Sequence, residues 1–262
     1  MNFRIANDAR PQVKALLVAA ALSLALWFIP YAWILSYPFQ LFVTFIHEGG
    51  HALAAVLTGN SVRSLSVSLD TSGLTETLLP QGGGFFSRML ISSAGYVGAI
   101  AFGALLLWLV RKRVKARFVL VGSAVLIAGL TGVFGFLVPL TNFSFSPFTV
   151  VSGALITVGL LAASKYLGPS ARNFLVSFLA VQCVLDALFN LRDLFYLSVA
   201  TDAPTDAKNM EVLTGIPSIF WALFWAVVGF VIVTLALRAY AVGKDTSASQ
   251  PDLPFEDSPL EV

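Results

Sequence analysis

The stretch "FVTFIHEGGHALAAVLTGN", residues 42–60, decides how the rest of the chain is read. It has the apolar density of a bilayer interior, yet it carries His47, Glu48 and His51, and the 262-residue chain has only 2 histidines. On a helix, positions four apart lie on one face, so both imidazoles can reach a single point. H-E-x-x-H on a helix is the arrangement in which two neutral imidazoles bind zinc and the glutamate between them takes a proton from water. Two histidines placed at random would fall four apart in roughly 1 of 130 placements, before any glutamate is required. Ionisable groups inside an apolar span are costly and mark function. Gly49 and Gly50 each weaken a helix by about 1 kcal/mol relative to Ala. That cost suits a place where another helix or a substrate backbone comes close. The competing readings are a histidine pair bonded to neighbouring helices, and a metal site without catalysis.

Working outward, composition sets the surroundings. The chain is 57% hydrophobic and 11% charged, with a mean hydropathy of +0.84, against about 25% charged in a soluble domain. So few charges cannot cover a water-facing surface, and the expected fold is an all-α polytopic membrane protein. The net charge of +2 says nothing about partners, but the absence of a basic domain of the kind that tracks nucleic acid argues against that partner. The single cysteine, Cys183, excludes an intrachain disulfide. Apolar runs predict seven spans, at 15–35, 38–58, 87–110, 118–140, 148–163, 173–199 and 217–240. No cleavable leader is evident, and the first run reads as a span. The expected organisation is an N-terminal segment at 1–14, one transmembrane domain at 15–240, and a disordered acidic tail at 241–262.

Two connections are informative. In the loop 59–86, Leu65, Val67 and Leu69 alternate with serines, Asp70 to Gly73 supply turn chemistry, and 74–79 can return. This predicts a small surface β-hairpin after the second span. Such a hairpin can offer an edge strand to an unwound substrate. "RKRVKAR", 111–117, packs five cations into one short loop, the signature of a cytoplasmic connection.

Catalytic zinc takes three protein ligands and keeps an open position. With no third histidine and a lone cysteine, a carboxylate must serve. Asp186 and Asp193, in "VQCVLDALFNLRDLFYLS" (181–198), share a helical face with Asn190 between them. Depth along the sixth span allows either. Asp206, Asn142 or no further protein ligand complete the options. Thr44, His47, Glu48, His51, Asn190 and Asp193 can together line a cavity that admits water. "TDAKNMEVLTGIP" (205–217) starts like a capped helix, with Thr205 or Asp206 as the N-cap.

The segments "HEGGHALAAVLTGN" (47–60), "DTSGLT" (70–75), "SAGYVGAIAFGALLL" (93–107) and "TDAKNMEVLTGIPSIFWALFW" (205–225) complete the pattern. Together they resemble the site-2-protease class of intramembrane zinc metallopeptidases, in its small "B-like" branch. The resemblance covers most of residues 40 to 240. It implies one zinc ion held by His47, His51 and Asp193, which it places ahead of Asp186, with Glu48 as the catalytic base. It also implies a multi-pass location in a bacterial cytoplasmic membrane; the expected substrate is a membrane protein or peptide, which the resemblance does not itself supply. The N-x-x-P-x-x-x-L-D-G signature of other members is absent, since no glycine follows Asp186. Two other functions stay open: a non-catalytic membrane scaffold or partner-binding relative, and an ion-coupled transporter.

Overall fold

The helix that carries the motif, α2 (Trp33–Leu57), is a single 25-residue element. It begins earlier than the apolar run suggested, because Pro38 falls in its second turn rather than before it. A proline there costs the one bond its amide would make to the Ile34 carbonyl, near the start of the helix. The structure, a computed structural model, describes residues 10–29, 31, 33–78, 84–200 and 205–241. The side chains of 186–200 lie outside that description, and with them the expectations for Asp186, Asn190 and Asp193. So do residues 1–9 and the predicted tail from 242 onward.

Before α2 comes α1 (Arg10–Phe28). After it the chain forms β1 (Ser61–Val67) and β2 (Gly73–Leu78), an antiparallel pair. Then follow α3 (Phe85–Arg111) and α4 (Ala116–Leu130), which continues through a π-helical segment, Thr131–Leu137, into α5 (Val138–Asn142). The remaining helices are α6 (Pro147–Tyr166), α7 (Pro169–Ala200), α8 (Asp206–Thr214) and α9 (Ser218–Ala241).

The predicted spans fall on helices, except that the first, 15–35, runs past the end of α1 at Phe28 into the start of α2; four of them, not seven, have the length and hydropathy to cross a membrane among the described residues. They are Phe85–Arg111, Ala116–Asn142, Pro147–Tyr166 and Ser218–Arg238. The apolar helical stretches Leu16–Leu26 and Pro169–Leu185 are shorter. In α2, the two histidines and Glu48 dilute the hydropathy.

In a bilayer the lipid is as apolar as the core, so helices associate through close packing rather than hydrophobic burial. Small residues supply that closeness here. A Cβ on Gly50 would strike the carbonyl of Ala94 on α3, and one on Gly49 would strike Leu130 on α4. The two glycines inside the motif therefore seat α2 against its neighbours. Helix α3 is the central post, packed on α2, α7 and α9. The faces turned away from these contacts stay apolar and exposed, as at Leu155 on α6 and Phe230 on α9, which suits lipid.

The hairpin is pinned rather than pendent. Leu65 and Val67 are buried at 1% exposure each. Buried Thr149, at the start of α6, binds both backbone groups of Val67: its Oγ1 accepts from the amide at 2.9 Å and donates to the carbonyl at 3.2 Å. Asn142, one of the ligand options, donates to the Arg63 carbonyl at 2.9 Å and accepts from Ser144. It ties α5 to β1 and takes no part in the cavity wall. At the far side of α2, Thr58, Asn60 and Ser87 form a hydroxyl–amide cluster that joins the end of α2 to the start of α3.

Candidate metal centre

One turn of α2 places His47 above His51, and their Nε2 atoms lie 3.2 Å apart. The third donor comes from α8. Asp206 Oδ2 is 3.5 Å from His47 Nε2 and 3.3 Å from His51 Nε2. Among the described residues these three form the group able to hold a metal ion. Zinc with bonds of about 2.0–2.2 Å in a tetrahedral set has its ligand atoms about 3.3–3.5 Å from one another. The observed triangle has that size. Two imidazoles and one carboxylate are also a donor set that zinc accepts.

The orientation of His51 is fixed from behind. Its Nδ1 lies 2.6 Å from the carbonyl of Ile91 on α3. A carbonyl only accepts, so Nδ1 carries the hydrogen and Nε2 presents its lone pair inward. His47 is set by Tyr96, whose ring meets it edge-on at 4.7 Å, and Tyr96 in turn stacks on Trp225 of α9 at 5.3 Å. Trp225 is itself held, its Nε1 donating to Ser93 at 3.1 Å. Room for both rings comes from Gly95, where a Cβ would occupy the place of the two Nε2 atoms.

Asp206 reaches the histidines because α8 folds back against α3 and α9. Its helix starts at Thr205, whose side chain caps the Lys208 amide at 3.2 Å, and ends at Gly215 in the left-handed conformation, φ +74. Taking the Asp206 carboxyl out of water favours its neutral form. Without a metal, protonated histidines outweigh this: the charge of His51 and hydrogen bonds from both rings hold it below the usual carboxylate range. The anionic form is the one a cation needs.

Glu48 is buried at 5% exposure and is held by the hairpin. Thr75 Oγ1 on β2 lies 2.7 Å from its Oε2 and donates to it, and is 3.1 Å from its backbone carbonyl. The hairpin tip is tied to α2 as well: Thr44 donates to the Thr71 carbonyl and Tyr37 to that of Leu69, each at 2.7 Å. Thr71 is β-branched yet sits at φ +69, a conformation costing on the order of 1–3 kcal/mol that these anchors maintain.

These elements enclose a cavity of about 820 Å³. Its wall includes Thr44, His47, Glu48 and His51, as the sequence led one to expect, together with Asp206 and Tyr96. The structure thus brings the motif to one point and sets Asp206 beside it. A signal for Asp206 exists in the sequence, since the residue opens a polar helix between two apolar ones. It reads equally as a helix-start acid, and only the return of α8 distinguishes the two.

A family model described as Peptidase M50B-like matches residues 16–236, most of the chain and every element of the site. The chain belongs to that family. The assignment bears out the resemblance to the site-2-protease class and its B-like branch, and it makes the chain a member of a peptidase family. Its long apolar helices, together with that family, make it an integral membrane protein. No curated protein and no solved structure matches the chain.

Proposed function

We propose that this M50B-like protein is a zinc-dependent endopeptidase that cuts a membrane protein or membrane-embedded peptide. The observation that carries the reading is the convergence of His47, His51 and Asp206 to within 3.5 Å, in one cavity with Glu48, inside an apolar helical bundle. His47 Nε2, His51 Nε2 and an Asp206 oxygen would hold the ion. What zinc supplies in such a set is water acidified to a pKa of about 7 and a polarised peptide carbonyl.

The remaining work falls to the chain. Thr75 holds Glu48 Oε2, which leaves Oε1 to take the proton from the attacking water and hand it to the leaving nitrogen. The hydroxyls of Thr44, Thr75 and Ser92 in the cavity wall admit water to a place lipid would otherwise exclude. Beyond β1, the described sheet has no third strand. The outer edge of β2 therefore lies open beside Glu48 to pair with an unwound substrate.

The test is metal content and turnover in the full chain, purified in detergent. Wild type should carry about one zinc per chain. His47→Ala and Asp206→Asn should lose it, Glu48→Gln should keep it, and Glu48→Gln cells should accumulate an uncut membrane protein. Loss of zinc in Asp193→Asn with retention in Asp206→Asn would move the third ligand to α7. Retained zinc with no difference between wild-type and Glu48→Gln membrane proteomes would replace the peptidase with a scaffold. Metal-free wild type with proton-coupled flux would indicate a transporter.

A further inference from the structure

Arg88 stands in the first turn of α3 and forms part of the cavity wall. It is the sole lysine or arginine among the described residues of that wall. Its backbone amide bonds to Gly84 at 3.2 Å, while its guanidinium has no partner among the described residues. The two carboxylates of the same wall are occupied, Glu48 by Thr75 and Asp206 by the histidines. An exposed guanidinium offers five donors in a planar fork that matches a carboxylate.

Its position along the cavity can be read from the elements. Gly95 faces the histidines, and Arg88 lies two turns earlier on the same face of α3, about 10 Å toward the helix start. Strand β2 runs the same way on the opposite wall. Thr75 is beside Glu48, Thr77 lies further on, and Leu78 pairs with Ser61 just past the end of α2. An extended peptide between these walls advances about 3.3 Å per residue. Arg88 is then level with the residue about three places from the bond held at the histidines. Leu74 and Val212, also in the wall, are 58% and 80% exposed and suit apolar side chains of the same segment.

We propose that Arg88 is a specificity-determining residue that binds the carboxylate of an acidic substrate side chain, about three residues from the cleaved bond of an otherwise apolar segment. The inference rests on the peptidase reading of this cavity. An anionic lipid headgroup would also suit a guanidinium, but a cation in the wall that holds Glu48 and the histidines faces the peptide's path.

The test uses the detergent-purified full chain with Glu48→Gln, so that binding is read without turnover. The probes are short, fluorescently labelled apolar peptides in which one Glu is walked along the sequence, each paired with its Gln counterpart, and binding is followed by anisotropy. At one position of the walk the Glu peptide should bind roughly tenfold tighter than the Gln peptide. In Arg88→Gln the ratio should fall to about one. In Arg88→Glu a Lys at that position should become the preferred residue, a gain that a misfolded variant cannot produce. A Glu preference undiminished in Arg88→Gln, or no binding by any peptide, overturns the proposal. An unchanged peptide preference with weaker capture by phosphatidylglycerol nanodiscs assigns Arg88 to lipid instead. Arg88-dependent binding without zinc-dependent cleavage by wild type leaves this site standing and removes the peptidase reading alone.

Discussion

At Gly95 the absent side chain matters as much as any present one. Both Nε2 atoms occupy the space a Cβ would take, so Gly95→Ala has to push the rings off their common point. Zinc affinity should fall on the order of 100-fold, the upper range for disturbing a metal site from outside its ligands. The helical fold should survive. Gly98→Ala is the control, since a Cβ there meets only the Cα of Gly50, at 3.6 Å. Zinc titration of both variants, with thermal unfolding alongside, checks this; equal affinity in the two would mean that Gly95 is merely a packing residue. The motif was legible at this scale because four-residue spacing on a helix is local geometry. Asp206 was one option among several for the third donor, because nothing local distinguishes it from the acids on α7. Its approach to the histidines is made by α8 turning back on α3.

Among the elements, the hairpin was readable from alternation alone. Leu65 and Val67 point inward with Ser66 between them, Leu69 of the same alternation is exposed at the turn, and Asp70 to Gly73 complete it. What alternation could not reveal is the anchoring, since Thr149 lies 82 residues from Val67. Helix α8 shows a second kind of anchoring. Glu211 accepts from Lys208 Nζ and from the Ser218 amide at the start of α9, each at 2.9 Å. The Lys208 bond first, then the Ser218 amide, holds its carboxyl down at about 2, against an ordinary value of 4.5. A depressed carboxylate stabilises the fold fully above its unfolded value, and that contribution is lost as pH falls through the folded one. Between pH 4.5 and about 2, the wild-type melting temperature should therefore drop more steeply than that of Glu211→Gln, which has no charge to lose. Parallel curves over that window would show that the α8–α9 joint does not depend on the carboxylate.

For the molecule as a whole, hydropathy located the helices well, because apolar runs of about 20 residues are a property of composition. It was less able to say which of them span, since α2 combines a span's surroundings with a polar site. The architecture still makes a definite statement about sidedness. Asn60 and Ser87 join the end of α2 to the start of α3, and the hairpin sits there against α5 and the start of α6. The cations from Arg111 to Arg117 lie at the other end of α3, about 40 Å away for a helix of that length. If those cations mark the cytoplasmic face, the base of the hairpin, where Ser61 pairs with Leu78, and the Arg88 end of the cavity belong to the opposite one. Ser61 and Lys112 are exposed, and Cys183 is buried at 0% exposure, so single cysteines at the two positions in a Cys183→Ser background can report on it. An impermeant maleimide added to intact cells should label Ser61→Cys and spare Lys112→Cys, with both labelled after lysis. The reverse pattern would place the substrate's entry on the cytoplasmic side. Labelling of both in intact cells would mean that α3, for all its length, does not cross the membrane.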